Sequence, residues 1–256
     1  MKLDLATFLL QWATGGLAFL LFTSRRRELG IGYGWLLRST YGLIAFGAVF
    51  AFASHESPSA GDRVALTASV LVVLAALIAL WRSIATRAGG VTAFDPRWDA
   101  LAPACGIIGL VGAADIAGGG YALALARLVI GALFLGAVSD AMLLGHWYLV
   151  QPGLRRDPLQ ELVRVTGWIW PLEMLVLLIP TGMVSVINGT IDDGYNGLLG
   201  WVWIACAVFT VGLVWVTTIA LKERYYSAVM SATGLLYLAI LTAFGTDLIA
   251  RAVLAP

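Results

Sequence analysis

Residues 121–156 read YALALARLVIGALFLGAVSDAMLLGHWYLVQPGLRR, an apolar run that ends at a proline, a glycine and two arginines. A helix rises about 1.5 Å per residue, so about 20 apolar residues cross the hydrocarbon core of a bilayer. Backbone groups in that core find no water and must form their hydrogen bonds within the segment. The stretch therefore predicts a transmembrane helix over residues 121–150.

The whole chain shares this apolar character. Of its 256 residues, 60% are hydrophobic and 12% are charged, and the mean hydropathy is +0.89. A soluble domain carries about 25% charged residues, because it must cover its core with polar surface. The composition indicates a membrane protein, and the net charge of +1 gives no reason to expect nucleic acid as a partner.

The hydropathy pattern predicts an all-α, polytopic integral membrane helical bundle of about eight transmembrane helices. We expect one transmembrane domain over residues 1–256 and no soluble domain, because short loops separate the apolar segments. The predicted segments are about 5–24, 31–54, 63–81, 100–118, 121–150, 160–187, 198–221 and 228–252.

Basic residues predict the orientation of the chain. If the N-terminus lies outside, twelve of the sixteen lysines and arginines fall on the inner side, and cytoplasmic loops carry such an excess. We therefore predict a cytoplasmic (inner) cell-membrane protein with both termini on the non-cytoplasmic side. The twelve are Arg25, Arg26, Arg27, Arg38, Arg82, Arg87, Arg97, Arg155, Arg156, Arg164, Lys222 and Arg224.

A faint internal repeat suggests two halves, residues 1–120 and 121–256. LLRSTYG at 36–42 and LVRVTGW at 162–168 share leucine, arginine and threonine at matching positions. Four spans return the chain to its starting side, so such a 4+4 repeat would be parallel. The matched arginines, Arg38 and Arg164, lie at predicted inner helix ends, where long side chains reach the interface.

Two carboxylates lie deep within the apolar segments. Asp140 and Glu173 are each about 15 Å from the inner ends of consecutive predicted helices, at 1.5 Å per residue. Charges at that depth are costly in a membrane and mark ion or proton sites. We predict that they bind a proton or a cation; the alternative is that each is protonated and only stabilises assembly.

His146, Trp168 and Arg164 form a second candidate site near the predicted inner ends of their helices. Gly167, predicted to lie level with His146, leaves room for a ring, so the geometry suits a quinone head group, a haem ligand or a proton relay towards Asp140. A haem would need a ligand from a partner chain, because the other histidine, His55, lies in a predicted outer loop. The alternative is an interfacial histidine within an aromatic belt.

Two classes of function follow from these features. The first is a membrane subunit that anchors a larger respiratory or electron-transfer complex, with lipid and other protein subunits as partners and a quinone or proton site near the inner leaflet. The second is a small secondary transporter coupled to protons or cations through the midplane carboxylates. The chain contains no self-sufficient catalytic motif, so its status as an enzyme stays open.

Overall fold

A computed structural model describes residues 4–25, 27–90, 95–118, 120–151, 153–223 and 225–254. All regular elements within these ranges are helical. Arg26 and Arg224, two of the twelve basic residues predicted on the inner side, lie outside the described residues. The helices are α1 Leu5–Ser24, α2 Ile31–Ala53, α3 Ala60–Ala88, α4 Leu101–Ile116, α5 Tyr121–Val150, α6 Asp157–Leu178, α7 Gly182–Ile187, α8 Leu198–Ala220 and α9 Tyr226–Val253, with a 3₁₀ turn over Pro96–Ala100.

Seven of the helical segments in the described ranges are long and apolar enough to cross a membrane. This confirms the prediction of a multi-pass helical membrane protein, on the basis of length and composition. The seven are α1, α2, α3, the segment Pro96–Ile116, α5, α8 and α9. Helix α6 is not among them, and it carries Asp157, Glu161, Arg164 and Glu173.

The sixth predicted segment, 160–187, is divided in the structure. Helix α6 ends at Leu178, and α7 begins at Gly182. Pro180 has no N–H and cannot continue the helical hydrogen bonding. Gly182 has φ +30°, and a Cβ at this position would overlap the Leu177 carbonyl oxygen, so the bend requires glycine.

The N-terminal unit, described from residue 4 to 117, is a bundle of α1 to α4. Each helix packs against the next, and α4 closes the bundle against α1. Gly16 of α1 meets the ring of Tyr41, which occupies the place of a Cβ. Such small residues let membrane helices approach closely, and packing rather than hydrophobic burial drives their association in lipid.

A buried ion pair stabilises this unit. Arg38 of α2 donates from Nε to Asp99 Oδ1 at 2.7 Å and from Nη2 to Asp99 Oδ2 at 2.8 Å. Both side chains are at most 2% exposed. The prediction that Arg38 reaches the interface is therefore wrong, because the 3₁₀ turn before α4 presents a carboxylate that holds the guanidinium inside the bundle.

The C-terminal unit, described from residue 118 onward, contains α5 to α9. Helices α5, α6, α8 and α9 follow one another around a bundle, α9 closes against α5, and the short α7 lies between α6 and α8. The indole Nε1 of Trp170 donates to the Ala207 carbonyl oxygen at 3.0 Å and joins α6 to α8. A buried apolar cluster packs at one end: Met174, Leu177, Met183, Val186, Trp203, Ala207, Ala250 and Val253.

Candidate functional site

Arg127 of α5 is directed at the end of α6. Its side chain is buried, and it donates from Nε to the Val176 carbonyl oxygen at 2.8 Å and from Nη2 to that of Ile179 at 2.7 Å. The Val176 carbonyl would bond the N–H of residue 180 in a continuous helix, but Pro180 has none. The guanidinium therefore replaces the missing donor at a helix end that favours cations.

Glu173 lies one helical turn before Val176 and is completely buried. Neither of its carboxylate oxygens accepts a hydrogen bond from a described residue. The charges that act on it are those of Asp247, Arg251 and Arg127. Glu173 is thus a buried acid with charged neighbours but with no donor in hydrogen-bonding position among the described residues.

Asp247 and Arg251 complete this group from α9. Arg251 Nε donates to Asp247 Oδ2 at 2.6 Å, and both side chains are 1% exposed. The i, i+4 spacing predicts this pair, and the structure confirms it. Its complete burial shows that it belongs to the interior of the bundle. We call Arg127, Glu173, Asp247 and Arg251 the four-charge cluster.

The four-charge cluster is neutral when Glu173 is ionised and carries one positive charge when Glu173 is protonated. An ionised carboxylate without a donor is costly in a buried place, whereas nearby arginines favour ionisation. The remaining positive charge on Arg127 is offset by the carbonyl oxygens at the end of α6. Glu173 is therefore the member whose protonation can change without breaking a hydrogen bond of its own with a described residue.

Asp140 lies elsewhere on α5. It is completely buried, as the sequence predicts, and continues the buried small-residue strip of Ala132 and Gly136. Thirteen residues, about 20 Å, separate it along the helix from Arg127. The carboxylate within electrostatic reach of Glu173 is Asp247. The proton-binding role of Asp140 stays a prediction.

The second candidate site is divided in the structure. His146 lies on α5, whereas Arg164 and Trp168 lie on α6. His146 is exposed on α5, with its Nδ1 3.3 Å from the hydroxyl oxygen of Tyr237 on α9. Trp168 is 73% exposed, and Arg164 lines a recess between α6 and α8. No hydrogen bond or ring contact among the described residues joins His146 to the other two.

Sequence reasoning missed Arg127, Asp247 and Arg251 as parts of a site. In the sequence each of the three lies near a predicted outer helix end, a position typical of a charge that reaches the membrane interface. The available signal was Pro180: a helix that ends there puts Glu173 five residues, about 7.5 Å, from the end of α6. Glu173 then lies near the predicted outer end of α6, at the same level as Arg127 near the outer end of α5 and as Asp247 and Arg251 near that of α9.

Within the described ranges, no group of three or more histidine, cysteine, aspartate or glutamate residues is arranged to hold a metal ion. Comparisons with protein-family models, with curated proteins and with solved structures gave no match.

Proposed function

We propose that this chain is a small proton-coupled secondary transporter in which Glu173 binds and releases the proton. One observation carries the proposal: Glu173 is completely buried among three charged residues, and neither oxygen accepts a hydrogen bond from the described residues. A carboxylate that serves only as half of an ion pair keeps its donors in place. The Arg38–Asp99 pair has that arrangement.

The composition of the cluster favours a proton over a metal cation. Arg127 and Arg251 both act on Glu173 with positive charge. Charges interact strongly in the low dielectric of a protein interior, so these arginines would repel a sodium or potassium ion. A proton instead removes the charge of the carboxylate and leaves the arginines with their other partners.

Arg127 supplies a means of coupling protonation to a change of shape. Val176 and Ile179 lie about one and two helical turns beyond Glu173. When Glu173 loses its proton, its negative charge attracts the Arg127 guanidinium away from the carbonyl oxygens of these two residues. Those two hydrogen bonds stabilise the bend between α6 and α7. Proton release therefore loosens the bend, and proton binding restores it, which gives two states with different structures.

The proposal includes the finer topology that the sequence predicts. In it α6 is an eighth span, both termini lie on the non-cytoplasmic side of the inner cell membrane, and two four-helix halves form a parallel repeat. The same helix order within each unit supports the repeat. Asp140, buried further along α5, is the proposed next proton-binding group towards the opposite face.

Proton flux in proteoliposomes tests the transport proposal. Vesicles with a trapped pH dye are diluted into a low-molecular-weight filtrate of native cell extract, which supplies the transported solute, and receive a potassium-diffusion potential. Internal pH is followed for the unmodified chain and for Glu173→Gln. We expect flux through the unmodified chain and at least a tenfold loss in the variant, because glutamine cannot release a proton. Glu223→Gln, an identical change at an exposed turn residue, is the matched control. Equal flux through Glu173→Gln, or no flux in the unmodified chain, would overturn the proposal.

A second candidate is the membrane subunit of an electron-transfer complex, in contact with lipid and with other protein subunits. One observation favours it: the exposed His146 and Tyr237 present an imidazole and a hydroxyl 3.3 Å apart on neighbouring helices. Such a pair can hydrogen-bond a quinone carbonyl, whereas a haem would need a further ligand from a partner chain. Arg164 and Trp168, predicted for the same site, lie on α6.

Gentle purification from native membranes tests this second candidate. It predicts co-purifying subunits together with bound quinone, extracted and measured by chromatography. His146→Leu should lower the quinone content while the subunits stay associated. A chain that purifies without partners and with the same quinone content in both forms would exclude this candidate.

A further inference from the structure

A basic recess lies between the start of α6 and the end of α8. It has a volume of about 80 Å³ and is lined by Gln160, Arg164, Thr218, Leu221 and Lys222. The lining contains two cationic side chains and no carboxylate. Neither cation forms an ion pair with a described residue. The recess therefore offers the positive charge that an anion needs, without an acid from its own lining to neutralise it.

Hydrogen bonds hold the turn that carries Lys222 against α6. Gln160 donates from Nε2 to the Leu221 carbonyl oxygen at 2.8 Å. Arg156 donates to the carbonyl oxygens of Glu223 and Tyr225, the latter at 3.0 Å. These contacts link the start of α6 to the end of α8, so the placement of Lys222 beside the Arg164 recess is built into the fold.

The surface next to the recess is apolar. Trp168 follows Arg164 by one turn on α6, and Trp215 precedes Thr218 by one turn on α8. The two tryptophans are 73% and 65% exposed. The recess lies near the start of α6 and the end of α8. Both indole rings therefore lie about one helical turn from the recess in the same direction, towards the middle of the two helices. A basic recess thus adjoins an exposed aromatic surface, as at a membrane interface.

We propose that this recess binds the phosphate of an anionic phospholipid, whose acyl chains lie along Trp168 and Trp215. The guanidinium of Arg164 matches two phosphate oxygens in a fork, and the ammonium of Lys222 adds a third donor group. Basic pockets between membrane helices recognise anionic head groups in this way. Free phosphate has the same charge chemistry, but it would make no use of the aromatic surface.

Native mass spectrometry of the full chain, delipidated in detergent, tests the proposal with three probes. These are phosphatidylglycerol, phosphatidylcholine and inorganic phosphate. We expect retained adducts with phosphatidylglycerol and far fewer with the zwitterionic lipid. Arg164→Gln and Lys222→Gln should each weaken phosphatidylglycerol binding about fivefold, and the double variant more than tenfold. Arg87→Gln, at an exposed position in the N-terminal unit, is the control.

A second pair of variants separates lipid from free anion. Trp168→Ala and Trp215→Ala should weaken phosphatidylglycerol binding while Arg164 and Lys222 remain in place. Two results would overturn the proposal: undiminished phosphatidylglycerol binding in the Arg164→Gln/Lys222→Gln variant, or inorganic phosphate that binds as tightly as the lipid. A folded chain is verified in each case by its circular dichroism, so loss of structure is distinguished from loss of the site.

Discussion

Each unit of this protein buries arginine and carboxylate side chains, but the hydrogen bonding differs. In the N-terminal unit, Arg38 donates to both oxygens of Asp99. In the C-terminal unit, Arg127 donates to two backbone carbonyl oxygens, and Glu173 receives no hydrogen bond from the described residues. The difference shows that burial beside an arginine does not by itself give an acid a hydrogen-bonding partner.

Backbone geometry explains the difference. Asp99 belongs to a 3₁₀ turn that begins at Pro96, and this turn carries the carboxylate to the guanidinium of α2. Pro180 instead leaves a carbonyl oxygen of α6 without a donor, and Arg127 occupies it. Pro96 begins the turn that places Asp99 within hydrogen-bonding distance of Arg38. Pro180 leaves the Val176 carbonyl oxygen without a backbone donor, and Arg127 donates to that oxygen and not to Glu173.

The largest expected effect is the loss of the Arg38–Asp99 pair. Asp99→Asn should lower the free energy of unfolding by about 3–5 kcal/mol, because it leaves a buried guanidinium without its counter-charge. Unfolding with sodium dodecyl sulfate in mixed micelles measures this change. The double variant Arg38→Met/Asp99→Leu, which removes both charges, should recover most of the stability. If the double variant is as unstable as Asp99→Asn, the charge argument for this pair is wrong.

A smaller loss is expected for Arg127→Met. This change removes the donor of the buried Val176 carbonyl oxygen and that of the partly buried Ile179 carbonyl oxygen. An unsatisfied buried group costs about 1–3 kcal/mol, and a partly buried one costs less because water can replace the donor. Proteolysis of the segment between α6 and α7 should also become faster, because the bend loses its cross-helix contacts. Arg87→Met, the same change at an exposed residue of the N-terminal unit, serves as the control. Unchanged stability and unchanged cleavage would show that Arg127 does not stabilise the bend.

Glu173→Gln should change the unfolding free energy by less than about 1 kcal/mol, because no hydrogen bond from a described residue is lost. The same titration as for Asp99→Asn gives a direct contrast between two acid-to-amide changes at buried positions. A loss as large as that of Asp99→Asn would mean that Glu173 is a structural ion-pair partner.

The smallest effect is expected at Asp193, which is partly exposed in the loop before α8 and, unlike Glu173, accepts several hydrogen bonds. Partial desolvation raises its pKa, but backbone N–H donors from Gly197, Tyr195 and Leu199 outweigh it and hold the pKa below its usual range. The resulting stabilisation is present above the unfolded pKa of about 3.9 and is lost as pH falls through the folded value. Asp193→Asn should therefore abolish a small acid-induced decrease in the unfolding midpoint. A decrease of the same size in both proteins would assign it to other groups.

Helix positions could be predicted from the sequence because apolar length and polar breakers determine them locally. Most helix ends agree with the predicted segments within a few residues. The partners of buried charges could not be predicted, because they depend on which helices are neighbours and on their register. Arg38 is one example, because its partner Asp99 is placed by the 3₁₀ turn before α4. Glu173 is another, because the break at Pro180 gives Arg127 backbone carbonyl oxygens to bind.

Infrared titration of the protein in lipid is the most direct test of the claim that Glu173 binds a proton. The carbonyl stretch of a protonated carboxylic acid is separate from that of an ionised one, so protonation is observed without a transport assay. The account predicts a protonated-acid band at the higher frequency of a buried carboxyl, separate from the bands of solvent-exposed acids, that disappears as pH rises. This band is missing from Glu173→Gln and remains in Glu223→Gln, which lacks only an exposed carboxyl. Identical titrating bands in the unmodified protein and in Glu173→Gln would contradict it.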